Sequence, residues 1–315
     1  MFTNNEAITA LDEQILEVIT GRAMNVLAST PLDEGEYIAH GLWGHELATR
    51  LSDSRKRETI HLIDIRSRDA YDEGHIEGAH HLEISEWATA ESLAQLPLDK
   101  KIIVISDTGL SAAGIVAGLR LLGYDAAVPR TGINGWTQTP MSEDLAEDLQ
   151  SVRYPVKRVP PQEECAPAPR GVSFERPAKE EFDLIAERMR EVSGAGNVVT
   201  AADLNSLMKD ESEREEVFLL DLRREEDFEG VGHIEGSLRM DFDAAVVPEN
   251  LERIPRDKKI VIVCYTGNLA AQLTTIYRLL GFDAAALAYG MAGWTRTPTT
   301  YLYLRDIQKA RNPLV

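Results

Sequence analysis

Cys264 is the residue of this 315-residue chain whose type and setting point most directly to chemistry. It follows the β-branched run Ile260-Val261-Ile262-Val263 and opens the segment Cys264-Tyr265-Thr266-Gly267-Asn268-Leu269-Ala270. A buried strand that feeds a short loop and then a helix sets that loop at the carboxyl edge of an α/β sheet, where such sheets carry their sites. The first N–H groups of the helix point into the loop and favour an anion. A thiolate is such an anion, so the position predicts a lowered thiol pKa and a nucleophile near neutral pH. Gly267 allows the tight curl and the close approach of a ligand. Taken alone, a cysteine at a strand end is more often a small buried hydrophobe; an internal repeat supplies the context that favours chemistry.

Residues 99–140 align without a gap to residues 257–298 at an offset of 158, with 21 identities in 42 positions. Gly109 falls on Gly267, Gly123 on Gly281, and Gly135-Trp136 on Gly293-Trp294. Upstream, Asp64-Ile65-Arg66 matches Asp221-Leu222-Arg223, and Gly74-His75-Ile76-Glu77-Gly78 matches Gly232-His233-Ile234-Glu235-Gly236. Cys264 falls on Ser106, so packing alone does not demand sulfur at this place.

The elements that must position the thiol follow from the apolar pattern. Ile60–Ile65, Ile102–Ile105, Val217–Leu222 and Ile260–Val263 are short continuous apolar runs, the signature of parallel strands buried on both faces. Ala112–Leu122 and Ala270–Leu280 have helical spacing, and each is closed by a glycine at the C-terminal cap, Gly123 and Gly281. Residues 1–40 and about 178–194 also read as helical. The fold class is therefore α/β, with two copies of a mainly parallel sheet flanked by helices. Six of the 14 prolines lie in 155–177 and mark an extended linker, which divides the chain into 1–150, 151–177 and 178–315.

Composition narrows the functions. Lys plus Arg is 33 against 52 Asp plus Glu, a net charge of −19 that disfavours nucleic acid and anionic membrane as partners. No apolar run approaches the roughly 20 residues of a spanning helix, and the N-terminus lacks the pattern of a signal peptide, so a cytoplasmic location is expected. The two cysteines, Cys165 and Cys264, have neither disulfide-scaffold nor zinc spacing, and no metal is expected.

The Asp-x-Arg strand end, the Gly-His-Ile-x-Gly segment, the Cys-x-x-Gly loop and the late Gly-Trp, in the same order in both copies apart from Ser106 in place of cysteine, resemble the rhodanese or sulfurtransferase family in its tandem form. The resemblance covers about 43–140 and 198–298. It implies two tandem rhodanese-like domains, an inactive N-terminal copy carrying Ser106 and a catalytic C-terminal copy carrying Cys264. It further implies that Cys264 takes sulfane sulfur from a donor such as thiosulfate, 3-mercaptopyruvate or a persulfide, and hands it to a thiol, protein or cyanide acceptor without a cofactor. The loop amides of Tyr265, Thr266, Gly267, Asn268, Leu269 and Ala270 would hold the outer sulfur, and Arg223 joins them as a substrate-binding candidate.

The sequence departs from thiosulfate-using members in two ways. The loop has no basic residue, and Asp227 stands ahead of Phe228 where those members carry arginine. A neutral or protein-borne donor is expected instead. Because both copies keep the Asp-x-Arg pair and the histidine, a brace is the favoured role for Arg66 and Arg223, and a structural hydrogen bond for His75 and His233. His80 and His81 have no partner at ligand spacing, Trp136 and Trp294 read as packing, and Asp107 should close the first loop to anions. Cys165 reads as an inert exposed thiol, with resolution of a Cys264 persulfide as the alternative. Two other functions remain open: a non-catalytic binding or regulatory module, and a cysteine-loop phosphatase or arsenate reductase. The last needs an arginine where this chain has Ala270.

Overall fold

The computed structural model of the protein describes residues 13–28, 41–151, 153–161, 164–169, 175–192 and 197–315. Its ten strands form two five-stranded sheets. The first contains β1 (Gly41–Leu42), β2 (Ile60–Asp64), β3 (Ala79–His81), β4 (Lys101–Ile105) and β5 (Ala126–Pro129), in the order β1-β5-β4-β2-β3. The second contains β6 (Val198–Val199), β7 (Val217–Asp221), β8 (Leu238–Arg239), β9 (Lys259–Val263) and β10 (Ala284–Leu287), in the order β6-β10-β9-β7-β8. Every pairing between these strands is parallel. The apolar runs are the central strands: the last four residues of β4 and of β9 are buried, as a sheet covered on both faces requires.

Register aligns the ends that matter. Asp64 pairs with Ile105 across β2 and β4, and Asp221 with Val263 across β7 and β9. Each Asp-x-Arg turn therefore lies beside the loop that follows the central strand. The helices Leu110–Leu121 and Asn268–Leu279 start from glycines in the left-handed region, Gly109 at φ 84° and Gly267 at φ 89°, a conformation that β-carbon-bearing residues rarely adopt.

These two helices face each other and join the sheets into one apolar core, which includes Val104, Ala113 and Val116 from one side and Ile262, Leu269 and Leu273 from the other. They approach closely at Gly114, where a Cβ would stand 2.8 Å from Thr275 Oγ1. The helices expected around 1–40 and 178–194 appear as Glu13–Ala28 and Lys179–Val192, while residues 1–12, 29–40, 193 and 194 lie outside the described set. Both pack on this central pair, burying Ile19, Ala23 and Val26 from the first and Ile185 and Met189 from the second.

Each repeat sends its last residues to the other half of the molecule. Lys157 exchanges backbone hydrogen bonds with His233 of the second half, at 2.8 Å in each direction, and Trp294 Nε1 donates to Pro155 O at 2.9 Å. At the same offset of 158, Val315 pairs with His75 of the first half at 3.0 and 3.1 Å, and Trp136 Nε1 donates to Pro313 O at 2.9 Å. Residues placed with the linker and with the C-terminal domain thus pair with the opposite halves. Linear order cannot reveal such an exchange.

Candidate active site

Cys264 stands at the carboxyl end of β9, directly before the loop that opens the helix Asn268–Leu279. Its Sγ accepts hydrogen bonds from the amides of Gly267 at 3.1 Å and Ala270 at 3.4 Å. The loop is held from behind by Gly290, where a Cβ would meet Cys264 O at 2.3 Å, so only glycine fits at that place.

Cys264 is 1% exposed. Burial pushes the thiol pKa up, while the amides of Ala270, Thr266, Gly267 and Leu269 pull it down, and burial prevails. This corrects the expectation of a lowered pKa: the amides converge as anticipated, but the thiol's burial depends on contacts distant in the chain. Thr266, Gly267, Leu269 and Ala270 act on the thiol through backbone N–H groups. Tyr265 and Asn268 act through their side chains. The Tyr265 hydroxyl donates to Asp227 Oδ2 at 2.6 Å and accepts from Arg224 N at 3.2 Å, and burial, reinforced by Asp227, raises its pKa. Asn268 Nδ2 donates to Arg130 O at 3.1 Å, in the first half of the molecule.

Arg223 is not directed at the sulfur. Its Nε and Nη2 make a two-pronged contact with Asp221 at 3.0 and 2.7 Å, and Nη2 also donates to Gly232 O at 2.8 Å. Burial opposes the Arg223 charge, and the adjoining Asp221 more than offsets it, so the guanidinium pKa is raised. Arg66 repeats the arrangement with Asp64 and Gly74 O, both at 2.7 Å. This geometry fits the brace and leaves Arg223 without a free donor face for substrate. His233 and His75 are likewise matched: Nδ1 contacts Phe228 O at 3.1 Å in one and Tyr71 O at 3.0 Å in the other, and each ring stacks on that same aromatic residue.

In the first copy, Ser106 Oγ accepts from Gly109 N at 3.1 Å and Ala112 N at 3.4 Å. The hydroxyl therefore fills the nest that the thiol fills in the second. Asp107, expected to close this loop to anions, braces it through its main chain, since its carbonyl accepts from Asn134 Nδ2 at 2.7 Å. Cys165 is half-buried rather than exposed, with Sγ 3.7 Å from Asp241 Oδ2, and β7 stands between the strand leading to Asp241 and β9.

Three residues that sequence reasoning did not select cover the site. Leu110 of the first copy lies over Gly267, where a Cβ would stand 2.6 Å from Leu110 Cδ2. Tyr303, on the helix Pro298–Lys309, is fully buried and directs its hydroxyl to Thr108 O and Arg130 O, each at 3.2 Å. Tyr289 takes a left-handed backbone at φ 58° and sets its ring edge-on to Tyr303, 6.2 Å away. The repeat alignment offers one signal, Leu110 against Asn268; Tyr303 and Leu145 keep the same offset beyond the aligned block. Among the described residues, no group of three or more His, Cys, Asp or Glu is placed to hold a metal ion, and no helix is long and apolar enough to cross a membrane.

The chain is similar to several solved structures. A thiosulfate sulfurtransferase from Pseudomonas aeruginosa aligns at 20% identity and a TM-score of 0.30, covering 89% of this chain and 48% of its own, so this chain spans about half of that protein. A probable thiosulfate sulfurtransferase aligns at 20% identity and a TM-score of 0.29, covering 76% of this chain and 95% of the other. A rhodanese-like domain protein from Staphylococcus aureus aligns at 24% identity and a TM-score of 0.28, covering 33% of this chain and 95% of the other. No curated protein matches the chain. The Rhodanese-like domain family itself matches twice, over residues 47–139 and 200–297, more than half of the sequence and four of the five strands of each sheet. With the loop of Cys264 inside the second match and that of Ser106 inside the first, the chain belongs to the rhodanese-like domain family and carries its domain in tandem.

Proposed function

We propose that the protein is a sulfurtransferase that carries sulfane sulfur as a persulfide on Cys264. The observation that carries the reading is the thiol's position, with Sγ 3.1 Å from Gly267 N and 3.4 Å from Ala270 N at the start of a 12-residue helix. Preorganised N–H donors of this kind stabilise charge that develops on sulfur.

In the first half-reaction the Cys264 thiolate attacks the outer sulfur of a donor R–S–SH. The new Cys264 S–S bond forms as the donor's S–S bond breaks, and R–S⁻ leaves with the electron pair; with 3-mercaptopyruvate the attacked atom is its thiol sulfur, the bond that breaks is C–S, and the enolate of pyruvate leaves with the pair. In the second, an acceptor thiolate attacks the outer sulfur of the Cys264 persulfide, and Cys264 departs as the thiolate. No net oxidation occurs. The buried thiol favours its neutral form in the closed molecule, so ionisation accompanies the arrival of donor or of water.

Charge selects among donors. The loop Cys264–Ala270 has no basic side chain, the Arg223 guanidinium is held by Asp221, and the Asp227 carboxylate approaches the loop through Tyr265. A dianion such as thiosulfate meets no cation within this loop, whereas a hydropersulfide or 3-mercaptopyruvate brings less charge. The first copy is chemically silent in this reading, because a hydroxyl replaces the thiol at Ser106. A cytoplasmic location goes with it, supported by the two free thiols, which reducing compartments preserve.

The near-complete burial of Cys264 favours a second reading, a non-catalytic rhodanese-like module. Intact-mass measurement after exposure to thiosulfate, 3-mercaptopyruvate and a small hydropersulfide separates the two. The sulfurtransferase adds one sulfur atom with the hydropersulfide or 3-mercaptopyruvate, and Cys264→Ser adds none. A chain that gains no sulfur from any donor is the module.

A further inference from the structure

We infer that Asn268 and Tyr303 are positioning residues for the Cys264 loop, acting through the single carbonyl of Arg130 in the first half, and that release of this clasp admits donor and acceptor to the sulfur. The purpose of the clasp rests on the sulfur-transfer reading, although its existence is tested separately.

A nucleophile that is 1% exposed cannot meet a dissolved reagent, so the reacting molecule is more open than the closed one. The helix Pro298–Lys309 is tied to the first half at its far end by Asp306, which accepts from Thr131 Oγ1 at 2.6 Å and Gly44 N at 3.4 Å, and one carbonyl of the first half ties that helix and the active loop together. Arg130 O accepts from Asn268 Nδ2 at 3.1 Å and from Tyr303 Oη at 3.2 Å, and the Tyr303 hydroxyl shares its proton with Thr108 O at 3.2 Å. Arg130 follows β5, and Thr108 lies in the loop of Ser106. One short stretch of the silent copy thus holds both the active loop and the helix that covers it.

Two further observations single out this junction. At the repeat offset of 158, Asn268 corresponds to Leu110 and Tyr303 to Leu145, so the polar groups occur only on the thiol-bearing copy, and their leucine counterparts cannot make these bonds. Asn268 is also fully buried with Oδ1 lacking a hydrogen-bond partner. An amide half-satisfied in the closed state regains a partner when water enters, which lowers the cost of opening.

The test is the rate at which iodoacetamide alkylates Cys264 in the full chain carrying Cys165→Ser. Asn268→Ala keeps the backbone amide and removes one bond of the clasp; Tyr303→Phe removes the other. Tyr277→Phe is the control, because its buried hydroxyl bonds Ala245 O at 2.8 Å within the second half. Each clasp variant should raise the alkylation rate about fivefold, the equivalent of one net hydrogen bond, with a Tm loss no larger than that of Tyr277→Phe, whose alkylation rate stays at the parent value. Unchanged rates in the folded clasp variants overturn the inference, as does an equal rise in the control. The parent protein decides the matter even if a variant fails to fold: alkylation of native Cys264 as fast as that of the urea-unfolded chain at the same pH shows that no closed state exists. Failure of the sulfur-transfer reading has a different signature, absence of added sulfur in every variant with the alkylation pattern intact.

Discussion

Ser106 Oγ and Cys264 Sγ occupy the same nest in the two halves of the molecule. Each accepts from the amide three residues ahead at 3.1 Å and from the amide six residues ahead at 3.4 Å. The backbone that cradles the thiol is therefore a property of the repeated domain, and the side-chain atom placed in it separates the copies.

Ser106→Cys tests that equivalence. The site already accommodates a small acceptor with the same two donors, so denaturant unfolding should show a change of less than about 1 kcal/mol. The new thiol should take up sulfur more slowly than Cys264, because Asp107 stands where the second copy has Tyr265. Equal loading at both positions would show that the neighbouring carboxylate has no influence.

Gly267→Ala should be severe. The residue sits at φ 89°, and its Cβ would lie 2.6 Å from Leu110 Cδ2 and 3.1 Å from Tyr289 N. Strain of this kind costs about 1–3 kcal/mol, and the displaced Gly267 amide would no longer support sulfur loading. Gly230→Ala is the matched comparison: nothing lies within 4 Å of its Cβ position at the end of a helix, so its unfolding midpoint should stay level or rise.

Arg223→Ala and Arg66→Ala should destabilise alike, each by about 3–5 kcal/mol, since each strands a buried aspartate. Those partners, Asp221 and Asp64, have fully buried side chains. A brace predicts parallel losses in urea unfolding. A loss of sulfur transfer without a loss of stability, confined to Arg223→Ala, would instead assign that residue to substrate.

The raised thiol pKa of Cys264 has a defined pH signature. Below the unfolded thiol value both states hold the proton, and the group contributes no slope. As pH rises from that value towards the folded one, the unfolded chain has released its proton and the folded chain has not, so stability falls by up to about 1.4 kcal/mol per pH unit. Unfolding measured from pH 7 upward should show this decline in the parent protein and its loss in Cys264→Ser. A parent thiol that instead ionises near neutral pH would give the decline in neither protein.

Much of this architecture was legible in the amino-acid order. The runs at Ile102 and Ile260 are the central strands, Gly123 and Gly281 end the facing helices at φ 87° and 84°, and Cys264 meets the amides of its own loop. What escaped depends on contacts distant in the chain. The thiol is buried in a loop that Leu110 and the helix bearing Tyr303 approach from elsewhere in the chain, so the sign of its pKa shift could not be read from local dipoles. The exchange of 154–157 and 312–315 between the halves leaves no local pattern either, because backbone hydrogen bonds to His233 and His75 require no particular side chain.

The central claim is that Cys264 binds sulfur covalently and gives it up. Peptide-level mass spectrometry of the full chain, before and after adding a thiol acceptor to hydropersulfide-treated protein, tests it most directly. The account predicts one extra sulfur atom on the peptide containing Cys264, discharged by the acceptor and unaffected by Cys165→Ser. Sulfur found on Cys165 instead, or retained on Cys264 when the acceptor is present, would contradict it.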